Sequence, residues 1–141
     1  MYTHLIFGTK GRARLIQVEQ LPKLHAYLGG TLNGMHCPVI CVGGTEDHVH
    51  ILFMLDKNTA LADVVEQLKR ASSKWMKTQS PENRYFAWQE GYAAFSVSQS
   101  KMETVKRYIQ GQAEHHKKVP FLDELKQFLE AYNTAYDERY L

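Results

Sequence analysis

His48 and His50 flank Val49 in the apolar run His48-Val-His-Ile-Leu-Phe53, and this pair is the first pointer to chemistry. Successive side chains on a β-strand leave opposite faces, so residues two apart share one face. Both imidazoles then converge on one spot, while Val49 and Ile51 face away. Neutral imidazole is the commonest transition-metal ligand, and two of them leave most of a coordination sphere open, as a catalytic ion requires. Two polar residues on the wet face of a half-exposed strand would show the same spacing. Farther along, Tyr108 and Gln112 stand one helical turn apart on one side of a helical pattern, and His115 continues their stripe. This stripe borders a buried one made by Met102, Val105 and Ile109, so packing the helix onto a sheet carries the phenol and the amide toward the histidines. An amide oxygen is the hard donor that Mg2+ or Mn2+ prefers, and a His48, His50, Gln112 set leaves positions for phosphate oxygens and water. A tyrosine shielding the core edge and a glutamine in water would look alike at this level. Asp47 can orient the ring of His48 or simply make the turn before it.

The two cysteines do not form a comparable centre. In His36-Cys-Pro-Val-Ile-Cys41 an extended chain holds Cys37 and Cys41 about 13 Å apart, too far for a disulfide. A zinc site with His36 would lack its second half. Buried free thiols on a strand are the expectation.

Positioning the histidines and the tyrosine requires a regular scaffold. Thr3 to Thr9 reads as a first strand. Val18, Leu21, Leu24, Leu28 and Leu32 recur at helical intervals, with Pro22 tolerable only in the first turn and Gly29-Gly30 weakening the second half. Pro38–Val42 and His48–Phe53 read as two strands of a hairpin joined by the turn-rich Gly43-Gly-Thr-Glu-Asp47. A second helix, capped by Asn58 or Thr59, buries Leu61, Val64, Val65, Leu68, Ala71, Trp75 and Met76 on one side. It shows Arg70, Lys74 and Lys77, with Lys69 beside them, on the other. After the aromatic Tyr85-Phe-Ala-Trp88, Tyr92–Val97 reads as the last strand. Ser100 and Glu103 suggest a capping box for a third helix running through Ala113. Pro120 separates it from a short helix with Leu122, Leu125, Phe128 and Leu129 on one face. The order β-α-β-β-α-β is that of an α+β, ferredoxin-like (RRM-like) fold: an antiparallel sheet, first and third strands central, helices on one face, plus C-terminal helices. The strand of His48 and His50 then crosses the middle of the sheet.

At 141 residues, with 44% hydrophobic and 23% charged side chains, one folded domain over 1–141 is expected. The formal charge of +2 is too small to argue for a polyanion partner, but its distribution is uneven. Residues 1–118 hold 15 basic and 10 acidic side chains, whereas 119–141 hold 2 and 5. No apolar run approaches the roughly 18 residues of a membrane span, and the start lacks a signal-peptide layout, so a cytoplasmic location is expected.

Several segments resemble one family. Thr3-His-Leu-Ile-Phe-Gly-Thr-Lys10, Glu46-Asp-His-Val-His-Ile-Leu52, Phe86-Ala-Trp-Gln-Glu-Gly-Tyr-Ala-Ala-Phe-Ser-Val97 and Tyr108-Ile-Gln-Gly-Gln-Ala-Glu-His-His116 are similar, in order, to the small single-tyrosine HUH transposases, the IS200-like family with its REP-associated relatives. The likeness continues to Phe121-Leu-Asp-Glu-Leu and Tyr140-Leu141. It implies a nucleophile at Tyr108, ligands to Mg2+ or Mn2+ at His48, His50 and Gln112, and a single-stranded DNA substrate with hairpin-containing element ends. In that family the tyrosine forms a 5′-phosphotyrosine link and releases a 3′-hydroxyl that later rejoins strands, with no nucleotide cofactor. The resemblance also implies a homodimer whose Tyr108 helix can complete the partner's site. Gly111, where relatives more often carry Asn, would soften that helix, and Gly8 replaces a usual Ser. DNA contact would fall to Lys10, Arg12, Arg14, Arg70, Lys74 and Lys77. Trp88, Tyr92 and Phe95 fit base stacking or, more simply, the core. A non-catalytic single-strand nucleic-acid binder accounts for the basic and aromatic residues but leaves the His, His, Tyr, Gln set unexplained. A metal phosphodiesterase using activated water is a third reading.

Overall fold

The computed structural model describes residues 1–112 and 123–127. Strand β1 (Tyr2–Gly8) leads to helix α1 (Leu21–Gly34), the hairpin of β2 (Val39–Thr45) and β3 (His48–Met54), helix α2 (Leu61–Gln79), β4 (Ala93–Ser96) and α3 (Met102–Gln110). Residues 123–127 are helical. The strands pair antiparallel in the order β2-β3-β1-β4, which puts β1 and β3 at the centre, as a ferredoxin-like sheet requires. Among the described residues no helix is long and apolar enough to cross a membrane.

Alternation along the central strands sorts side chains onto two faces. Leu5 and Phe7 of β1 and Val49, Ile51 and Phe53 of β3 meet Leu24, Leu28 and Leu32 of α1 and Val64, Val65, Leu68 and Met76 of α2 in one core. Each such side chain withdrawn from water contributes about 1.5–3 kcal/mol. Tyr27 of α1 stacks on Trp75 of α2 with ring centroids 4.7 Å apart. The other face receives α3, whose Ile109 packs with Leu52 and Val97, and the 123–127 turn, whose Leu125 packs on Ile6, Ala93 and Phe95. The sheet is thus covered by α1 and α2 on one side and by α3 on the other.

The β2–β3 connection differs from expectation. Gly43, Gly44 and Thr45 belong to β2, and the turn shrinks to Glu46-Asp47. Gly43 is required because α3 crosses β2 so closely that a Cβ there would overlap the carbonyl oxygen of Ile109. Gly44 has φ +150°, and a Cβ would strike the carbonyl of His48. Gly43, which read as part of a loop, is therefore the seat of the third helix, while Gly44 lets β2 lie close against the backbone of β3.

Several helix ends also differ. α3 begins at Met102 after a single 3-10 turn (Gln99–Lys101), so Ser100 lies before the helix, pairs with the Ser98 hydroxyl at 3.1 Å and makes no capping box with Glu103. The residue capping α2 is Ala60, while Thr59 donates to Asp56 at 2.9 Å. Val18 precedes α1 and is exposed, whereas Pro22 occupies its first turn. Gly111, with φ −93° and ψ 12°, interrupts the helical path after Gln110, and Gln112 beyond it is again helical. Expectations on Ala113, His115, Pro120, Leu122, Phe128, Leu129, Tyr140 and Leu141 fall outside the described residues.

These contacts predict opposite effects for two glycine substitutions in denaturant unfolding. Gly43→Ala should destabilise by about 1–3 kcal/mol, because helix and strand must separate. Gly30→Ala, in α1 with nothing within 4 Å of its added Cβ, should stabilise by about 0.5–1 kcal/mol. Equal effects at the two sites would refute the close α3–β2 seating.

Candidate functional site

On the α3 side of the sheet His4, His48, His50, Gln112 and Glu124 form a buried polar cluster. Both histidines of the pair are 0% exposed, so the wet-face alternative does not describe them. Such groups are costly in a core unless hydrogen-bonded, and each is. His48 Nδ1 lies 2.8 Å from Asp47 Oδ1 and 3.1 Å from Thr45 Oγ1, and its Nε2 lies 3.0 Å from Gln112 Oε1. His50 Nδ1 lies 2.9 Å from His4 Nε2, and its Nε2 lies 2.9 Å from Glu124 Oε1. Tyr108 donates its hydroxyl proton to the other oxygen of Glu124. Its ring centroid is 5.6 Å from that of His50 in the same chain. Asp47 both makes the turn and orients His48.

Burial, then the hydrogen bond to Glu124, pushes the Tyr108 phenol well above the ordinary tyrosine range, while a hydrogen bond from Gln112 opposes the shift. Burial, reinforced by His50 and opposed by Glu124, pulls the His4 imidazole down to about 3.

The donor set fits a divalent cation. His48, His50 and Glu124 each offer a ligand atom within 4.8 Å of the others. An ionised Asp47 only accepts, so a neutral His48 carries its proton on Nδ1 and a lone pair on Nε2. That lone pair faces Gln112 Oε1, whose amide nitrogen is turned to the Tyr108 carbonyl at 3.3 Å. Two acceptors in contact are reconciled by a positive ion between them. Two imidazoles with a carboxylate and an amide oxygen suit a divalent cation.

The family described as Transposase IS200 like matches residues 1–112. This chain belongs to that family. The ISDra2 transposase TnpA of Deinococcus radiodurans is 27% identical over 114 residues, covering 77% of this chain and 81% of the relative. A crystal structure of a candidate transposase from Deinococcus radiodurans R1 superposes with a TM-score of 0.62 at 24% identity, over 79% of this chain and 90% of that one. The structure of a REP-associated tyrosine transposase bound to a REP hairpin gives 0.61 at 11% identity, over 84% and 69%. These two share the fold.

In this IS200-like transposase the structure brings Tyr108, His48, His50 and Gln112 together. It adds two residues that the sequence did not single out. Glu124 lies beyond the matched stretch, and the likeness at Phe121-Leu-Asp-Glu-Leu125 gave it no role. His4 read as one position in an apolar strand and in the Thr3–Lys10 likeness, with no role attached to it. The basic candidates divide. Lys10, Arg12 and Arg14 are exposed just after β1, where Gly8 pairs with His48, and Arg14 approaches Glu46 at 3.7 Å. Arg70, Lys74 and Lys77 are exposed on α2, across the sheet from Tyr108, with Arg70 beside Glu66 at 3.3 Å. Lys69 is engaged with the Gln89 and Gly91 carbonyls at 2.8 and 2.5 Å, and burial draws it down to about 8. Trp88 packs against Phe7 and Phe86 and donates to Ser72, and Phe95 is buried, so both serve the core, while Tyr92 is exposed. Cys37 is buried ahead of β2 and Cys41 half-buried on it, both as free thiols.

The raised phenol predicts a silent tyrosine. Titrated to about pH 11 without metal, wild type and Tyr108→Phe should gain the same ultraviolet phenolate absorbance, since ordinary tyrosines ionise near 10. An extra phenolate in the wild type would contradict the buried, Glu124-bonded placement.

Proposed function

We propose that this transposase cleaves and rejoins single-stranded DNA at insertion-sequence ends, with Tyr108 as nucleophile and Mg2+ or Mn2+ held by His48, His50, Gln112 and Glu124. The observation that carries this reading is the continuity of the cluster. Glu124 links the phenol to His50, and Gln112 joins the helix of Tyr108 to His48, so nucleophile and histidine pair share one buried site. When bound, the ion supplies positive charge that polarises the scissile phosphate.

The chain's own groups do the rest. Tyr108 Oη attacks phosphorus, the bond to the 3′ oxygen breaks, and that oxygen leaves as a 3′-hydroxyl after taking a proton. Glu124, which already accepts the phenolic hydrogen bond, is placed to hold the proton released as the Oη–P bond forms. The 5′-phosphotyrosine conserves the energy of the broken bond, so a 3′-hydroxyl can later attack it and restore free Tyr108 without a nucleotide cofactor. Asp47 keeps the ring of His48 in orientation throughout. Lys10, Arg12 and Arg14 flank the site and would guide the strand to be cut. Arg70, Lys74 and Lys77 could meet only DNA that reaches the other face, such as the stem of a hairpin end. Hairpin ends are supported by the hairpin bound to the REP-associated relative of like fold. The working unit in this reading is a homodimer, and the cis placement of Tyr108 supports a complete site in each protomer.

Incubation with Mn2+ or Mg2+ and labelled single-stranded hairpin DNA should yield a covalent protein–DNA adduct, absent in Tyr108→Phe and after chelation, and reduced to background in His48→Ala and His50→Ala. A pure binder gives no adduct with the wild type, and a water-using hydrolase keeps cutting in Tyr108→Phe. Replacing Lys10 and Arg12 together by Ala should lower the slope of log affinity against log salt by about 1.4, as expected for two phosphate contacts on a single strand. An unchanged slope would remove them from the DNA path.

A further inference from the structure

His48 and His50 are alike as ligands but differ in what stands behind them. Behind His48 Nδ1 is the carboxylate of Asp47 at 2.8 Å, a common backing for a metal-bound imidazole. Behind His50 Nδ1 is another imidazole, His4, at 2.9 Å, on the neighbouring strand. We propose that His4 is the positioning residue of His50, holding its Nδ1–H so that the Nε2 lone pair is presented to the cation. This rests on the divalent-ion reading above.

The placement of His4 is rigid. Its backbone pairs with Leu52 on one side and Phe95 on the other, in the centre of the sheet. Its ring lies 5.1 Å from His50, 6.3 Å from Phe95 and 6.5 Å from Tyr108. Only 2% of it is exposed, on a strand whose next residues are Leu5, Ile6 and Phe7. At such a position an aliphatic or phenyl side chain would fill the space without desolvating two nitrogens. The imidazole is therefore best understood through its nitrogen. A neutral ring has one N–H and one lone pair. If His50 is to ligate through Nε2 its proton must sit on Nδ1, and His4 Nε2 is the acceptor at hydrogen-bond distance. With the opposite pairing, His4 Nε2–H donating, His50 would carry its proton on Nε2, donate it to Glu124 and offer the ion nothing. Glu124 binds the far side of the same ring, so His4 and Glu124 together fix its plane.

The test measures Mn2+ affinity of the full chain without DNA, by electron paramagnetic resonance, in wild type, His4→Phe and His4→Gln, with circular dichroism as the check on folding. The Phe ring cannot accept and should weaken Mn2+ binding about 10–100-fold, while Gln, whose amide oxygen can accept, should stay within about threefold of wild type. With Mg2+ bound, nitrogen-15 spectra of the wild type should show a hydrogen-bonded, slowly exchanging Nδ1–H on His50, which persists in His4→Gln and is lost in His4→Phe. Wild-type affinity in His4→Phe, or equal weakening in both variants, would overturn the proposal, because packing alone would then explain His4. If His4→Phe does not fold, the absence of that Nδ1–H signal in the wild type overturns it. A wild type that binds no Mn2+ at all would remove the ion reading itself, an outcome recognisable because it owes nothing to His4.

Discussion

On β3 the side chains alternate between two environments that cannot be exchanged. Val49, Ile51 and Phe53 enter the apolar core beneath α1 and α2, whereas His48 and His50 enter a polar cluster beneath α3. Because β3 is hydrogen-bonded on both sides, to β1 and β2, neither imidazole can turn away without breaking a ladder. The rest of the site is arranged around that constraint. β1 brings His4 to the back of His50, the Glu46-Asp47 turn brings a carboxylate to the back of His48, and α3 brings Tyr108 and Gln112 to the front.

α3 can do this because of what β2 lacks. With no side chain at Gly43, the helix backbone settles directly on the strand, and Ile109 closes the gap against Leu52 and Val97. The Gln112 amide can then reach His48 at 3.0 Å across the hairpin. Packing and chemistry meet in one short stretch, since Ile109 and Tyr108 are neighbours on the helix. Displacing the apolar contact would displace the phenol with it.

Much of this was legible in the sequence, for identifiable reasons. Period-two and helical periodicities are local, so the element order, the shared face of His48 and His50, and the shared side of Tyr108 and Gln112 could all be read from spacing. The family resemblance then named their roles. What was not legible depended on contacts between distant segments. The likeness at Phe121-Leu-Asp-Glu-Leu125 gave Glu124 no role, and its place between Tyr108 and His50 follows from how the 123–127 turn packs Leu125 on Ile6 and Phe95. His4 is a single polar residue in an apolar strand, and spacing says nothing of its partner across the ladder. Gly43 and Gly44 carry a turn composition yet continue the strand, because the demands they answer come from α3 far along the chain at Gly43 and from the backbone of β3 at Gly44. Ser100 and Glu103 matched a capping signature, but a 3-10 turn moved the start of α3 past them.

The two-residue turn between β2 and β3 has an evolutionary corollary. One residue inserted or deleted there, or within β3, would invert the pleat, sending imidazoles into the aliphatic layer and isoleucine toward the ion ligands. Length variation is tolerated better where frame does not matter, in the connections between strands and helices. The hairpin of His48 should descend through this lineage with its residue count intact even where its side chains drift.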